Sequence, residues 1–273
     1  MSRADELEVM LAIAREAAAI VLKLYATDFA VDYKGPADPV TEADRQANEL
    51  ICERLAAAFG SVPIVAEESL ESSFAGYAQA PRAFFVDPLD GTVEFVARNG
   101  EFVVMIGLAE HGRAVAGVVH APALDTAWAG AIGLGAWEIS RTGKRAPIRV
   151  CDVVRLPDSR VVVSRSRPDP ALGRAASLLG AKEVRARGSS GLKGVDVAAA
   201  RADVYLQPGR AGKRWDCCAP EAIVQAAGGR CTDLLGASID YLGPDLQNER
   251  GILMTNGRLH DEVLARLSTR QGS

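Results

Sequence analysis

The feature that most constrains this chain is an apolar run that ends in two acidic residues. Ala83–Val86 is typical of a buried β-strand, and the segment Asp87–Thr92 (DPLDGT) follows it directly. Pro88 fixes part of the turn, and Gly91 and Thr92 add backbone amides and a hydroxyl beyond the acids. This pattern predicts a corner of the fold that can hold metal ions and a phosphate together.

Ordinary turn formation is the alternative, because Asp-Pro and Asp-Gly are each common turn signals. Here, however, the acids end an apolar strand, where unpaired charges are costly unless a metal or hydrogen bonds compensate them. A second acidic pair, Glu67-Glu68, follows the apolar Pro63–Ala66, and Asp216 precedes the helix-like Ala219–Val224, with Pro220 expected in the first turn of that helix. Acids at the ends of several elements predict one shared site.

Composition excludes several classes of function. With 273 residues and 48% hydrophobic content, the chain can build one large or two closely packed layers, and disorder is not expected. A net charge of −4 gives no electrostatic reason to expect a nucleic acid polymer or an anionic membrane as partner. Arg15 and Glu16 interrupt the early apolar run, so no export or membrane segment is expected.

The cysteines bear on the cellular compartment. The chain contains five, an odd number without the paired spacing of a zinc site: Cys52, Cys151, Cys217, Cys218 and Cys231. A reducing, cytoplasmic compartment is the simplest interpretation. The adjacent Cys217 and Cys218 are expected to be packed thiols at a helix start rather than a redox pair.

Helical and strand-like patterns alternate along the whole chain. Apolar spacing predicts helices over residues 5–26 and from Thr41 to Phe59. Thr41 and Asp44 resemble a capping box, so Asp44 either caps this helix or serves the site, and the pattern leaves both open. Further strand-like runs lie between residues 84 and 119. The alternation predicts an α+β fold.

The second part of the chain begins after a polar segment. From Arg160 onward the pattern predicts a strand over 161–164, a helix over 169–179 and a strand over 202–206. A soft boundary near 150–158 divides the chain into residues 1–150, with most of the metal-binding motifs, and residues 151–273, with the substrate loop and the last metal aspartate. Both parts are expected to form one compact catalytic unit.

Five motifs in order carry a family resemblance: VTEAD, VAEES, DPLDGT, GSSGLK and WDCCAPEAIVQAAGG. Over about residues 5–268 the chain resembles the lithium-sensitive, magnesium-dependent phosphatases that include inositol monophosphatase. DGTVEFVARNGEF is more similar to the 3'(2'),5'-bisphosphate nucleotidase branch than to the inositol monophosphatases. The resemblance implies alternating layers of helices and mixed or antiparallel sheets, an αβαβα sandwich.

The resemblance also implies a ligand set made of oxygen atoms. Its metal ligands are the carboxylates of Glu67, Asp87, Asp90 and Asp216 and the carbonyl of Leu89. Such hard donors suit Mg²⁺, and two or three ions per site are expected. Thr92, hydrogen-bonded to Asp44, is implied to orient the attacking water and relay its proton, so that no phosphoenzyme forms.

The substrate side of the site is implied by the same resemblance. The residues assigned to it are Gly91, Thr92, Ser164, Arg167, Ser189, Lys193 and Asp216, with the amides of Gly91 and Thr92 holding the phosphate. Arg167 replaces a histidine usual in the nucleotidase branch, and it either contacts a second phosphate or decorates an exposed strand end. The basic loop over 209–214 either meets a second phosphate or is an ordinary solvated loop.

The function expected on these grounds is Mg²⁺-dependent removal of the 3'(2')-phosphate of adenosine 3'(2'),5'-bisphosphate, or of its sulfated form, which connects the protein with sulfur metabolism. An inositol monophosphatase or inositol polyphosphate 1-phosphatase is the alternative within this class. A non-catalytic nucleotide or metal sensor is the alternative from another class. A small phosphorylated molecule is the expected partner, and the protein is expected to be a monomer or homodimer.

Overall fold

The computed structural model describes residues 1–35, 38–166, 170–243 and 245–268. Within these ranges the chain forms seven α-helices: α1 (Arg3–Tyr25), α2 (Glu42–Phe59), α3 (Thr92–Val96), α4 (Pro170–Leu179), α5 (Ser190–Ala198), α6 (Trp215–Ala226) and α7 (His260–Ser268). The same ranges contain fourteen strands: β1 (Val31–Gly35), β2 (Asp38–Thr41), β3 (Ile64–Ala66), β4 (Arg82–Asp90), β5 (Val103–Glu110), β6 (Arg113–Ala121), β7 (Thr126–Ala131), β8 (Gly135–Ser140), β9 (Arg145–Ile148), β10 (Arg160–Ser164), β11 (Glu183–Arg187), β12 (Val204–Gln207), β13 (Arg230–Thr232) and β14 (Ile252–Thr255).

Two large sheets and one hairpin organise these strands. The larger sheet has seven strands in sequence order, β3 to β9, and is antiparallel except for the parallel pair β3–β4. The smaller sheet has five strands in the order β11-β10-β12-β14-β13 and is mixed. The hairpin consists of β1 and β2.

The helices lie in three layers around the two sheets. Helices α1 and α2 pack on one face of the seven-stranded sheet, and α6 packs on its other face beside α5. Both α5 and α6 also contact the five-stranded sheet, whose outer face is covered by α4 and α7. The layer order is therefore αβαβα, which confirms the predicted fold class.

Strand β4 is apolar throughout because both of its faces are covered. Phe84 and Val86 belong to the hydrophobic cluster with α1 and α2, whereas Ala83 and Phe85 belong to the cluster with α5 and α6. All four residues have 0% exposure. Alternate side chains of a strand point to opposite faces, so a strand between two helical layers needs apolar residues at every position.

Helix α6 lies directly against the seven-stranded sheet because the sheet carries glycines beneath it. A Cβ atom at Gly107 would lie 2.6 Å from Cys218 Sγ, and one at Gly117 would lie 2.2 Å from the carbonyl oxygen of Ala219. At Gly130 the nearest atom would be Ile223 Cα, 3.1 Å away. We call these three residues the glycine column. It brings the backbone of α6 against the strands.

One local expectation is wrong. Helix α6 begins at Trp215, so Pro220 is its sixth residue and lies inside the helix rather than in the first turn. Pro220 has no N–H to donate to the carbonyl of Asp216, which is the usual cost of an interior proline. Its ring faces α5, where a Cβ atom at Gly194 would lie 2.5 Å from Pro220 Cβ. Pro220 therefore lies where α5 and α6 pack closely against each other.

The division at residues 150–158 falls between β9, which ends at Ile148, and β10, which begins at Arg160. As a division into two units it stays a proposal. Among the helices in the described ranges, none is both long enough and apolar enough to cross a membrane. All five cysteines are free thiols, and Cys217 and Cys218 are buried at the start of α6.

Candidate active site

A polar cavity opens where the end of β4 meets the first turn of α6 and the segment leading into α5. Its volume is about 120 Å³. The residues that line it are Pro39, Glu67, Asp87, Leu89, Asp90, Gly91, Thr92, Val93, Ser164, Ser166, Ser189, Ser190, Lys193, Tyr205, Gln207, Ala211 and Asp216. The structure thus brings every predicted metal ligand to one place.

Three aspartates form the centre of this cavity. Asp87, Asp90 and Asp216 are all buried, and each offers a carboxylate oxygen that lies within 4.8 Å of the others. Two come from β4 and the third from α6, so the glycine column determines where the third aspartate lies. Within the described ranges this is the one cluster of three or more potential metal-binding side chains.

A bulge in β4 directs the two strand aspartates. Asp87 pairs with Met105 and Asp90 pairs with Val103, so β4 fits one more residue than β5 over this interval. A bulge bends the strand and re-aims its side chains, and Pro88 suits this position because it needs no ladder hydrogen bond. The DPLDGT segment therefore turns its acids out of the sheet and into the cavity.

Backbone amides hold each of the three carboxylates in place. The N–H of Leu89 donates to Asp87 Oδ1 at 3.0 Å, and the N–H of Gly191 donates to Asp90 Oδ2 at 2.8 Å. The N–H of Lys213 donates to Asp216 Oδ2 at 2.6 Å. The carboxylates are thus oriented before any ligand binds.

The crowded carboxylates of the cluster form an environment that a cation would stabilise. Burial raises the pKa of Asp87 well above its ordinary value, and the nearby charges of Glu67, Asp90 and Asp216 raise it further. Burial, followed by the charge of Asp216, raises the pKa of Glu67 to about 7. Crowded buried carboxylates become stable as anions when a metal ion lies among them. The all-oxygen donor set fits Mg²⁺ and lacks the nitrogen and sulfur donors that zinc favours.

Lys34 supplies positive charge that sequence reasoning missed. Its Nζ lies 3.3 Å from Glu67 Oε1 and also donates to Glu68. Lys34 belongs to β1, and nothing in its local sequence distinguishes it from an ordinary exposed lysine. The contact follows only from the folding of the β1–β2 hairpin against the VAEES segment.

Asp44 makes contacts that fit both of the roles that its sequence left open. Its Oδ2 accepts from the N–H of Thr41 at 2.7 Å and from Thr41 Oγ1 at 2.6 Å, which closes the capping box of α2. Its Oδ1 accepts from Thr92 Oγ1 at 3.0 Å. Burial raises the pKa of Asp44 to about 6. Thr92 Oγ1 also lies 3.1 Å from the carbonyl oxygen of Leu89, so its single proton has two acceptors.

Gly91 makes the close turn before α3 feasible. Its φ is 97°, and a Cβ atom there would lie 2.9 Å from the carbonyl oxygen of Glu101. A side chain would therefore be strained both by backbone conformation and by contact. The turn places Thr92 at the first position of α3, facing the cavity.

The far wall of the cavity belongs to the five-stranded sheet and α5. Ser164 ends β10, and Ser189 caps α5 through its hydroxyl, which accepts from the N–H of Leu192. The same hydroxyl donates to Asp90. Lys193 is buried, donates from Nζ to the carbonyl of Ser189 at 2.6 Å and lies 5.3 Å from the ring centre of Tyr205. Arg167 lies outside the described residues.

Several lining residues were absent from the predicted set. These are Pro39, Val93, Ser166, Ser190, Tyr205, Gln207 and Ala211. Small or neutral side chains carry little chemical signal in a sequence. In the basic loop, Arg210 pairs with Glu249, and Arg214 donates to the carbonyl of Asp240. These contacts favour a structural role for that loop.

The sequence of this chain is similar to those of known phosphatases. The model of the inositol monophosphatase family matches residues 3–272. A 3'(2'),5'-bisphosphate nucleotidase CysQ of Escherichia coli K12 is 37% identical over 231 residues, covering 84% of this chain and 91% of that protein. The CysQ of Salmonella typhimurium is 38% identical over 237 residues, covering 86% and 93%.

Solved structures agree with this result. The suhB protein of Bartonella henselae superposes with a TM-score of 0.82 at 28% identity, covering 97% of this chain and 99% of that one. An IMPase of Thermotoga maritima also gives 0.82 at 28% identity, covering 97% of each chain. The fold and the site therefore define a phosphoric monoester hydrolase. The chain belongs to the inositol monophosphatase family.

Proposed function

We propose that this phosphatase is a Mg²⁺-dependent 3'(2'),5'-bisphosphate nucleotidase, which removes the 3'(2')-phosphate of adenosine 3'(2'),5'-bisphosphate and of its sulfated form. The observation that carries the proposal is the buried carboxylate cluster facing a wall that contains Lys193. The names of the relatives at 37–38% identity support the nucleotide as substrate. A place in sulfur metabolism follows from that substrate.

The metal ligands that we propose are Glu67, Asp87, Asp90, Asp216 and the carbonyl of Leu89. Two or three Mg²⁺ ions at this site would supply an activated water and positive charge on the phosphoryl oxygens. The protein's part is to hold hard oxygen donors in fixed orientation, which its backbone amides do. The crowding of like charges that raises the pKa of Asp87 is relieved by such cations.

Thr92 and Asp44 form the proposed proton relay. Thr92 Oγ1 can take a proton from the attacking water as it passes its own proton to Asp44 Oδ1, which lies 3.0 Å away. A buried carboxylate with a pKa near 6 is a better base near neutral pH than an exposed aspartate. The N–H groups of Gly91 and Thr92 are proposed to bind the phosphate at the start of α3. In this proposal water attacks the phosphate ester directly, and no phosphoenzyme forms.

The remaining part of the substrate is proposed to lie against the far wall. Lys193 and Arg167 would contact the phosphate that is not cleaved, and Ser164 and Ser189 would contact the nucleoside. Ser189 also donates to Asp90, so it would connect substrate binding with the metal cluster. Asp216 is proposed to serve both the metal and the substrate.

An inositol phosphatase is the second candidate. The structural neighbours at 28% identity include an IMPase and superpose over 97% of this chain, so the cavity has the framework of that activity too. A non-catalytic sensor is the third. Thr92 and the four proposed metal carboxylates line one cavity, and Asp44 accepts a hydrogen bond from Thr92. This arrangement argues against a sensor, and turnover would eliminate it.

The location and assembly that we propose are a cytoplasmic monomer or homodimer. Five free thiols support a reducing compartment. A small phosphorylated molecule is the proposed partner, without a nucleic acid polymer or a membrane surface.

The deciding experiment measures phosphate release from a panel of substrates. Adenosine 3',5'-bisphosphate, inositol 1-phosphate and fructose 1,6-bisphosphate would each be tested with Mg²⁺ and with EDTA. We expect kcat/KM to be highest for the adenosine bisphosphate and turnover to disappear in EDTA. Asp87→Asn is the control for contaminating phosphatase. Preference for inositol 1-phosphate would favour the second candidate.

A further inference from the structure

Two acidic residues outside the metal cluster connect the two walls of the cavity. Glu94 lies in α3, two residues after the DPLDGT segment, and Glu101 lies just before β5. Both accept hydrogen bonds from residues of the five-stranded sheet and its loops. Neither lines the cavity, and neither has a place in the proposed chemistry.

The side chain of Glu94 is buried and closely packed against Gly188. It is 3% exposed, its Oε1 accepts from Ser166 Oγ and its Oε2 accepts from Asn99 Nδ2. Gly188 leaves room for it, since a Cβ atom there would lie 2.4 Å from Glu94 Cγ. Burying a carboxylate is costly unless partners compensate its charge, so removal of Glu94 or of its partners should disturb this contact.

Glu101 makes the second connection. Its Oε2 accepts from Arg165 Nη1 at 2.5 Å and from the N–H of Gly188 at 2.7 Å, and its Oε1 accepts from Arg165 Nη2 at 3.2 Å. The N–H of Arg165 in turn donates to the carbonyl of Arg187 at 3.1 Å. One carboxylate thus fixes the chain after β10 and the chain after β11.

The residues joined in this way are neighbours of the substrate wall. Ser164 and Ser166 lie on either side of Arg165, and Ser189 follows Gly188, and all three serines line the cavity. On the opposite side, α3 begins at Thr92. The connection therefore spans from the metal loop to the wall that we assign to the substrate.

We propose that Glu94 and Glu101, with Arg165, Ser166 and Gly188, form an acidic bridge that sets the spacing between the metal loop and the substrate wall. Its two glutamates are positioning residues, because they act through Ser166, Arg165 and Gly188 and touch no reacting atom. None of the five bridge residues is a proposed metal ligand. Loss of the bridge therefore weakens substrate binding more than it slows turnover of bound substrate.

The test compares Glu94→Ala, Glu101→Ala and Glu94→Gln, using whichever phosphomonoester the unchanged protein hydrolyses best. The inference rests on phosphatase activity and not on the identity of the nucleotide, so it can fail or hold independently of the nucleotidase proposal. Glu8→Ala is the matched control, because Glu8 pairs through two oxygens with Arg145 at 2.6 Å, away from the cavity.

We expect each alanine variant to raise KM about tenfold while kcat stays within about threefold. The Mg²⁺ concentration for half-maximal rate should be unchanged, Glu94→Gln should restore part of the affinity, and Glu8→Ala should leave KM unaltered. Adding Arg165→Ala to Glu101→Ala should cost less than the sum of the two single changes, because both changes remove the same ion pair.

Other outcomes overturn the proposal. A fall in kcat with constant KM would place these residues in the chemistry, and an altered Mg²⁺ requirement would place them in the metal site. A loss of thermal stability with normal kinetics would make the bridge merely structural. If Glu94→Ala fails to fold, the partly exposed Glu101 decides the question, and normal KM in Glu101→Ala then refutes the bridge.

Discussion

The two sheets contribute to the active site in different ways. The seven-stranded sheet runs in sequence order, and one bulged strand end supplies Asp87, Leu89 and Asp90 within four residues. The five-stranded sheet has a crossed strand order, and its contributions to the cavity, such as Ser164 and Gln207, come from the ends of separate strands. The first arrangement concentrates the acidic groups that we propose bind the metal. The second spreads uncharged side chains over the wall that we propose binds the substrate.

This contrast predicts that changes at the seven-stranded sheet affect turnover of every substrate, whereas changes at the other wall affect the choice among substrates. The largest expected effect is that of Asp90→Asn. Removing one buried charged ligand should lower kcat/KM at least about a hundredfold on any phosphomonoester, because metal binding and transition-state stabilisation are lost together.

Phosphate release at several Mg²⁺ concentrations checks this prediction, with circular dichroism to verify the fold. Near-normal turnover of Asp90→Asn at low Mg²⁺ would show that Asp90 is not a metal ligand.

Lys193→Ala should have the next largest effect, and it should depend on the substrate. A charge-assisted hydrogen bond is worth on the order of 1.5–3 kcal/mol, so kcat/KM for adenosine 3',5'-bisphosphate should fall about tenfold to a hundredfold. Hydrolysis of inositol 1-phosphate should change little, because it lacks the second phosphate. Arg167→Ala should give the same pattern if that arginine contacts the same phosphate.

The exposed Lys182 provides the control for lost positive charge, as Lys182→Ala. Equal losses on both substrates would move Lys193 into the catalytic core, and no loss on either would move it out of the site.

Lithium should act at the proposed metal site and not at the substrate wall. Li⁺ is similar to Mg²⁺ in size but carries half the charge, so it can occupy a metal position without matching its Lewis acidity. We expect rising LiCl at fixed Mg²⁺ to inhibit several-fold more than NaCl at equal ionic strength, by the same factor for every substrate. Equal effects of the two salts would contradict a lithium-sensitive site.

The smallest expected effect comes from a helix cap. Thr41→Ala removes the hydroxyl that caps α2 and binds Asp44, and Ser2→Ala removes the corresponding hydroxyl of α1. Both should cost about 1 kcal/mol in the free energy of unfolding. Only Thr41→Ala should also lower kcat, by about twofold to fivefold, because Asp44 then loses one of the contacts that orient it. If Thr41→Ala and Ser2→Ala had the same kcat, the contact between Thr41 and Asp44 would contribute to helix capping and not to catalysis.

The sequence predicted the part of the site that lies in short, chemically distinct motifs. The paired acids of Asp87–Thr92 and the capping pair Thr41–Asp44 could be predicted because residues so close in sequence have a local arrangement that their spacing determines. Lys34, Ser166 and the bridging role of Glu94 could not, since each depends on a contact with a distant segment. Pro220 was misplaced because the WDCC residues before it carry no clear helix-start signal.

The glycine column has a consequence for how the chain is made. The seven-stranded sheet is complete at Ile148, whereas α6 begins only at Trp215. A nascent chain can therefore form the sheet's local hairpins while the groove over Gly107, Gly117 and Gly130 is still uncovered. Contacts between segments so far apart in sequence form slowly, and an uncovered apolar face invites aggregation meanwhile. When α6 packs over that groove, it also brings Asp216 close to Asp87 and Asp90. We therefore expect chains that avoid aggregation to gain affinity for metal in the same step in which the groove is covered.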